Sequence, residues 1–257
     1  MRCGVIVFPG SHGEHDVYHI LKHVLAQEVL FLWHGDENLR DCELVVLPGG
    51  FSFGDFLRPG ALAALSPIIK AVREHAADGG LVLGIGNGFQ VLLEAGLLPG
   101  AMQRNHSLRF DCRDVYVQVE QADLPFTSEY TAGQLLRMPI AYARGNYVDS
   151  EEALDQLEEA GRVVFRYVEP PAGSPLPAGA DAQSAPEQRS GAREMDEKTC
   201  GSGSARAIAG IANEAGNVLG IMPHPERCAE PLLGNVDGLA LFASAVGAGE
   251  KHTEVTR

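Results

Sequence analysis

Short, almost uninterrupted apolar runs alternate with stretches of helical periodicity along the first hundred residues, and that alternation narrows the possible architectures more than any other feature. Val5–Phe8 is closed by Pro9-Gly10, and Leu44–Leu47 ends in Pro48-Gly49-Gly50. Leu81–Ile85 runs into Gly86-Asn87-Gly88, and Val29–Trp33 is a further run of the same kind. Between them, Asp16–Leu25 carries Val17, Ile20, Leu21, Val24 and Leu25 at the three-and-four spacing of an amphipathic helix. Ala61–His75 and Phe89–Glu94 also read as helices. Strands that are apolar on both faces and alternate with helices predict a parallel sheet covered on both sides. The expected class is therefore α/β, a mostly parallel sheet flanked by helices.

The second half is richer in strands. Val115–Val119, Val163–Val168, Ala207–Ile211 and Val218–Met222 read as strands, followed by a closing helix near Leu239–Val246. This predicts a mixed-strand second half within one domain spanning 1–257, without an internal repeat. Residues 170–204 stand apart, with no aromatic side chain and many Pro, Gly, Ala and Ser. Such a stretch buries too little apolar surface to offset its ordering entropy, so a flexible insertion is expected there.

Composition removes several classes of function. With Lys+Arg 20 against Asp+Glu 34, the net charge is −14, which argues against nucleic acid or an anionic membrane as main partner. The cysteines (Cys3, Cys42, Cys112, Cys200 and Cys228) are scattered and form no C-x-x-C pair, which fits reduced thiols better than disulfides or zinc. The N-terminal apolar run stops at Pro9, too short for a signal peptide, and no run is long enough to span a bilayer. A cytoplasmic location is expected. Of the histidines, His15, His19 and His23 share a helical face, which a solvated face explains better than a metal. No metal or cofactor site is indicated, and no phosphate-binding glycine signature follows a strand.

Three segments have chemical potential. In Val82–Gln90 a buried strand passes through Gly86 into a helix, the geometry of a nucleophile elbow, although Gly86 stands at the apex and an ordinary βα turn reads the same way. In Met222-Pro223-His224-Pro225-Glu226-Arg227, a histidine between prolines follows a strand, with a carboxylate placed to fix its tautomer. In Leu47–Asp55, Gly49 and Gly50 offer backbone N–H groups suited to a carbonyl oxygen that becomes negative.

Taken together with V-I-V-F-P-G-S at 5–11, P-G-G-F-S-F-G-D at 48–55, G-N-G-F-Q at 86–90 and L-L-P-G-A-M at 97–102, the sequence resembles a known family. Arg104-Asn105, G-N-V-L-G-I-M-P-H-P-E-R at 216–227 and D-G-L at 237–239 extend the match. It resembles the class I, triad-type glutamine amidotransferases, and more narrowly the glutaminase subunits of phosphoribosylformylglycinamidine synthases. That resemblance implies a flavodoxin-like fold and glutamine as substrate, with ammonia passed to a large synthetase subunit and a small bridging subunit in the same assembly. It implies His224 as general base, Glu226 as its orienting carboxylate, and Gly49, Gly50, Phe51, Asn87 and Gln90 as oxyanion or substrate contacts.

The same resemblance exposes a departure. The family elbow reads G-[VI]-C-N-G-F-Q, and its cysteine forms the glutamyl thioester; here the position is Gly86, which has no side chain to attack an amide. Ser11-His12-Gly13 and Ala141-Tyr142-Ala143-Arg144-Gly145-Asn146 replace the family's S-N-C and A-H-G-E-G-N. Cys228 is the one thiol expected near the site, without elbow geometry. Two functions follow: a glutaminase-type subunit with impaired or lost hydrolysis, or a non-catalytic scaffolding or regulatory subunit of an ammonia-dependent synthase. A hydrolase-like or flavodoxin-like protein acting on another substrate fits the paired motifs poorly.

Overall fold

The computed structural model describes residues 1–170 and 202–255. In chain order the elements are β1 (Arg2–Val7), α1 (Glu14–His19), β2 (Glu28–Trp33), β3 (Leu44–Leu47), α2 (Ile68–Ala77), β4 (Leu81–Ile85) and α3 (Asn87–Glu94). There follow β5 (Ala101–Gln103), β6 (Asp111–Val119), β7 (Leu135–Tyr142), β8 (Asn146–Val148) and α4 (Glu151–Glu159). The chain ends with β9 (Val163–Val168), β10 (Ile208–Ala212), β11 (Val218–Ile221) and α5 (Leu239–Val255). A 9-stranded sheet runs β2-β1-β3-β4-β11-β10-β9-β6-β7, and β5 pairs with β8 in a small second sheet.

The sheet has two characters. From β2 to β11 every neighbour is parallel, and β3 and β4 are buried at every residue, as the continuous apolar runs require. From β11 outward through β10, β9, β6 and β7 the pairing is antiparallel, the mixed-strand half expected from the sequence. There β7 alternates between buried and half-buried residues, as a one-sided strand does.

Several boundaries differ from expectation for local reasons. The helix expected over 61–75 begins only at Ile68, after a short 3₁₀ turn at Ala63–Leu65. Pro67 explains the break: Ser66 before it takes extended backbone, ψ 145°, which a continuing helix excludes. The first helix passes at Ile20 into a π-turn to Val24, where Leu25 N–H bonds Ile20 C=O at 2.9 Å. Strand β7 contains Pro139 and was not anticipated; it lies at the edge of the sheet, where a missing N–H is tolerated. The closing helix runs on to Val255.

The insertion expected at 170–204 lies mostly outside the described residues, but its last part does not. Ser202 and Ser204 are buried, His106 N–H donates to Ser202 C=O at 2.9 Å, and Ser204 Oγ donates to Ile208 C=O at 2.6 Å. Residues 202–204 therefore belong to the packed domain, because their hydroxyls and backbone find partners there.

Candidate active site

The sheet order puts β3, β4 and β11 side by side and parallel, so the segments leaving their carboxyl ends converge. Gly49-Gly50 leaves β3, Gly86-Asn87 leaves β4, and Met222–Glu226 leaves β11. In open α/β sheets this edge is where ligands bind. The three sequence segments singled out above meet there, around a cavity of about 250 Å³.

His224 and Glu226 form a buried pair, with Nδ1 2.7 Å from Glu226 Oε1 and side chains 4% and 0% exposed. Pro225 and the following 3₁₀ turn hold the two residues in reach of each other. The loop is tied to the sheet by His224 N–H, which donates to Pro139 C=O at 2.8 Å. A carboxylate at Nδ1 fixes the ring so that Nε2 is presented to the cavity.

Gly86 stands opposite that nitrogen. Its φ of 53° and ψ of −108° lie in a region that side-chain-bearing residues adopt only under strain. A Cβ placed there would sit 3.3 Å from His224 Nε2 and 3.1 Å from Cε1. The turn thus keeps elbow geometry and aims its apex at the imidazole, but it carries no nucleophile. Gly49 is needed for a different reason: a Cβ there would meet His224 Cε1 at 2.7 Å, so only glycine lets the imidazole come this close.

The expected backbone donors divide. Phe51 N–H already donates to Gly10 C=O at 3.0 Å, so its use as an oxyanion donor is corrected; the bridge between Ser11 and Gly50 takes it. Gly49 contributes a carbonyl that accepts from Gly13 N–H at 3.0 Å. Among the described residues the N–H groups of Gly50 and of Asn87, which opens α3, have no acceptor. These two donors remain for a ligand oxygen.

Asn87 and Gln90 brace the walls. Asn87 Oδ1 accepts Ser52 N–H at 3.0 Å, its Nδ2 donates to Gln90 Oε1 at 2.9 Å, and Gln90 Nε2 donates to Arg144 C=O at 2.7 Å. Gln90 therefore links the elbow helix to the segment after β7. Tyr142 is buried, its hydroxyl 3.0 Å from that of Tyr167, and half-buried Arg144 lines the cavity with Asp55. Burial pushes the Asp55 carboxyl up, and the Arg144 guanidinium opposes this.

The thiol expected near the site lies beside the His224 turn, its Sγ 3.7 Å from His224 C=O, but a different thiol lines the cavity. Cys228 is buried, with Sγ 3.5 Å from Pro225 C=O, and burial drives its thiol well above the ordinary range. Cys112 instead lines the cavity and is exposed. Its sequence signal was weak, because β6 reaches the site only by pairing with β7, Cys112 opposite Ala141. Of the three histidines on one helical face, His19 and His23 stay together, rings 5.4 Å apart with His19 Nε2 3.1 Å from Glu230 Oε2, while His15 faces Phe31 at 5.2 Å. Among the described residues no cluster of three metal-ligating side chains forms. None of the helices described is long and apolar enough to cross a membrane.

A buried His–Glu pair facing a strand-to-helix elbow, with free amides beside it, is the arrangement of a triad amidotransferase. The chain belongs to the CobB/CobQ-like glutamine amidotransferase domain family, whose model matches residues 1–238. Phosphoribosylformylglycinamidine synthase subunit PurQ of Moorella thermoacetica is 48% identical over 246 residues, covering 96% of this chain and 95% of that protein. The PurQ subunit of Koribacter versatilis is 45% identical over 252 residues, covering 98% and 100%. A chain in the structure of PurLQS from Thermotoga maritima superposes with a TM-score of 0.78 at 39% identity, covering 96% of this chain and 97% of that one.

Proposed function

We propose that this chain is a glutaminase-type subunit of a phosphoribosylformylglycinamidine synthase in purine biosynthesis, acting in the cytoplasm, with its own glutamine hydrolysis lost or nearly so. Its PurQ relatives and the PurLQS assembly support the family role and the partners, a large synthetase subunit and a small bridging subunit. Residues 1–257 act as one domain carrying the insertion read at 170–204, whose last residues, 202–204, pack into that domain.

The carrying observation is Gly86 opposite His224 Nε2. With a thiol at the apex, His224 would take its proton and Glu226 would steady the imidazolium. The sulfur would attack the carboxamide carbon, and the N–H groups of Gly50 and Asn87 would hold the resulting oxyanion. The proton would pass to the departing ammonia, and water would then cleave the thioester. Without the thiol only binding and the oxyanion donors remain, a residual on the order of 10³–10⁴ over water in comparable triads. The synthase then draws on free ammonia, and the subunit contributes its docking surface.

The test is glutamate release by the native chain and by Gly86→Cys, each with the synthetase subunits present, with ammonia as the parallel nitrogen source. Background activity in the native chain, restored activity in the variant and full synthase turnover with ammonia support the reading. Glutamine hydrolysis by the native chain at an ordinary amidotransferase rate overturns it.

A further inference from the structure

Two charged side chains of the cavity beside His224 take no part in the triad chemistry. Among the described residues, Asp55 is its one lining carboxylate and Arg144 its one lining guanidinium, and both are half-buried. Each lies in the field of the other, since the Arg144 charge opposes the rise that burial imposes on the Asp55 carboxyl. They nevertheless form no ion pair, and among the described residues the guanidinium donates to no acceptor. Opposite charges that share one cavity without bonding each other are left for the groups of a ligand.

Both residues are mounted on the elbow. Gln90 Nε2 donates to Arg144 C=O at 2.7 Å, and Gly145 N–H donates to Asn105 Oδ1 at 2.8 Å, so the backbone is held on either side of the Arg144 side chain. Asp55 takes left-handed backbone, φ 55°, directly after Phe53 at 52° and Gly54 at 66°. Residues with side chains keep that conformation only where their surroundings impose it. Here Ser52 N–H donates to Asn87 Oδ1 at 3.0 Å, and Asn87 Nδ2 lies 3.4 Å from Asp55 Oδ1. The backbone N–H of the same Asn87 is one of the two donors left for a ligand oxygen, so one residue frames both the oxygen position and the Asp55 carboxylate.

We propose that Arg144 and Asp55 form a zwitterion clamp: the guanidinium takes the α-carboxylate, and the Asp55 carboxylate takes the α-ammonium, of an amino acid whose carboxamide lies against Gly50, Asn87 and His224. The clamp rests on the glutaminase-type reading of this cavity and adds which side chains recognise the amino-acid end. Arg144 stands where the motif A-H-G-E-G-N has its glutamate, so this guanidinium is the chain's own device. A guanidinium forks onto a carboxylate with two parallel N–H donors, and an ammonium gives Asp55 a charge-assisted bond. A carboxamide lacking either charged group leaves one of the two wall charges without its partner and binds more weakly. The pair thereby selects glutamine over simpler carboxamides.

Calorimetry on the full-length chain, assembled with the synthetase subunits, tests this with three ligands. They are L-glutamine, glutaramate, which lacks the ammonium, and 4-aminobutanamide, which lacks the carboxylate. Arg144→Met should weaken glutamine and glutaramate about tenfold or more and leave 4-aminobutanamide unchanged. Asp55→Asn should weaken glutamine and 4-aminobutanamide and spare glutaramate. Arg144→Met removes a guanidinium with no partner inside the chain, so the fold should survive it, and Arg144→Lys, which keeps the charge without the fork, should fall between. Where a truncated amide binds too weakly to measure, the glutamine affinities of the three variants decide. Glutamine affinity unchanged in Arg144→Met or in Asp55→Asn, equal losses for all three ligands, or no glutamine binding by the native chain overturns the clamp. Glutamine hydrolysis by the native chain overturns the reading of Gly86 instead, and KM for glutamine then carries the same comparison.

Discussion

His224 stands between two residues that define what this pocket can do: its Nδ1 is 2.7 Å from Glu226 Oε1, while its Nε2 faces the bare α-carbon of Gly86. On the proposed reading, the base and its orienting group are assembled, and the group they would activate is missing.

Gly86→Cys should raise glutamate release by roughly 10³ or more over the native chain in the assembled synthase. The same change should lower stability by about 1–3 kcal/mol, because a side chain at φ 53°, ψ −108° is strained and its Cβ lies 3.1 Å from His224 Cε1. Steady-state glutamate assays and thermal unfolding of the two proteins check both halves. A gain in activity without loss of stability would show that the turn relaxes around the new side chain.

In the Gly86→Cys background, Glu226→Gln should cut the recovered rate by about 10²–10⁴ with little change in KM, since an amide steadies the imidazolium poorly. In the native background the same substitution should leave glutamate release at background. If the double variant were as fast as Gly86→Cys, the 2.7 Å contact would have no part in the chemistry.

Asn87→Ala should destabilise the elbow by about 1–2 kcal/mol, because Ser52 N–H and Gln90 Oε1 both lose a buried partner. Chemical denaturation measures this. A loss under a few tenths would mean the loop after β3 is held by its backbone alone.

Alkylation should single out the cavity thiol. Burial pushes the Cys3 thiol up to about 12 and that of Cys42 up to about 11, and Cys228 higher still, so all are poor nucleophiles at neutral pH. Cys112 is exposed on the cavity wall. In a Cys200→Ser background, iodoacetamide should modify Cys112 well before the others, as peptide mass mapping will show. Uniform labelling would contradict the packing described for β1 and the His224 loop.

Glu158 gives a pH prediction. Its hydrogen bond to Arg166, helped by Arg206, holds its carboxyl below the ordinary 4.5. A carboxyl depressed in the folded state adds stability above its unfolded pKa, and that contribution fades as pH falls through the folded value. Glu158→Gln should therefore lower the melting temperature modestly at pH 7, and the gap to the native chain should close on acidification past that point. A gap that stays constant down to pH 3 would assign the effect to packing instead.

Much of this site was readable because its key relationships are local. His224 and Glu226 are two residues apart, and Gly86 sits at a strand-to-helix junction whose flanking pattern is unambiguous. Parallel order then brings the ends of β3, β4 and β11 together, a consequence of apolar runs alternating with helices. What escaped the sequence depends on distant pairings. Cys112 enters the cavity through the β6–β7 register, and β7 itself is disguised by Pro139. The Phe51 N–H is lost to Gly10, a contact between two loops that no spacing encodes. The late start of α2 was nearer the surface, since Pro67 already forbade a helix through Ser66.

The shape of the turn at Gly86 also bears on descent. Glycine is free to leave that backbone region, yet the turn holds it, so the neighbours and not the residue specify the elbow. Certain glycine codons become cysteine codons by a single base change. Where the Gly86 codon is one of these, a single mutation presents a thiol to the buried His224–Glu226 pair, and the reverse step is equally short. On the proposed reading, such a change would alter catalytic competence without rebuilding the scaffold around it.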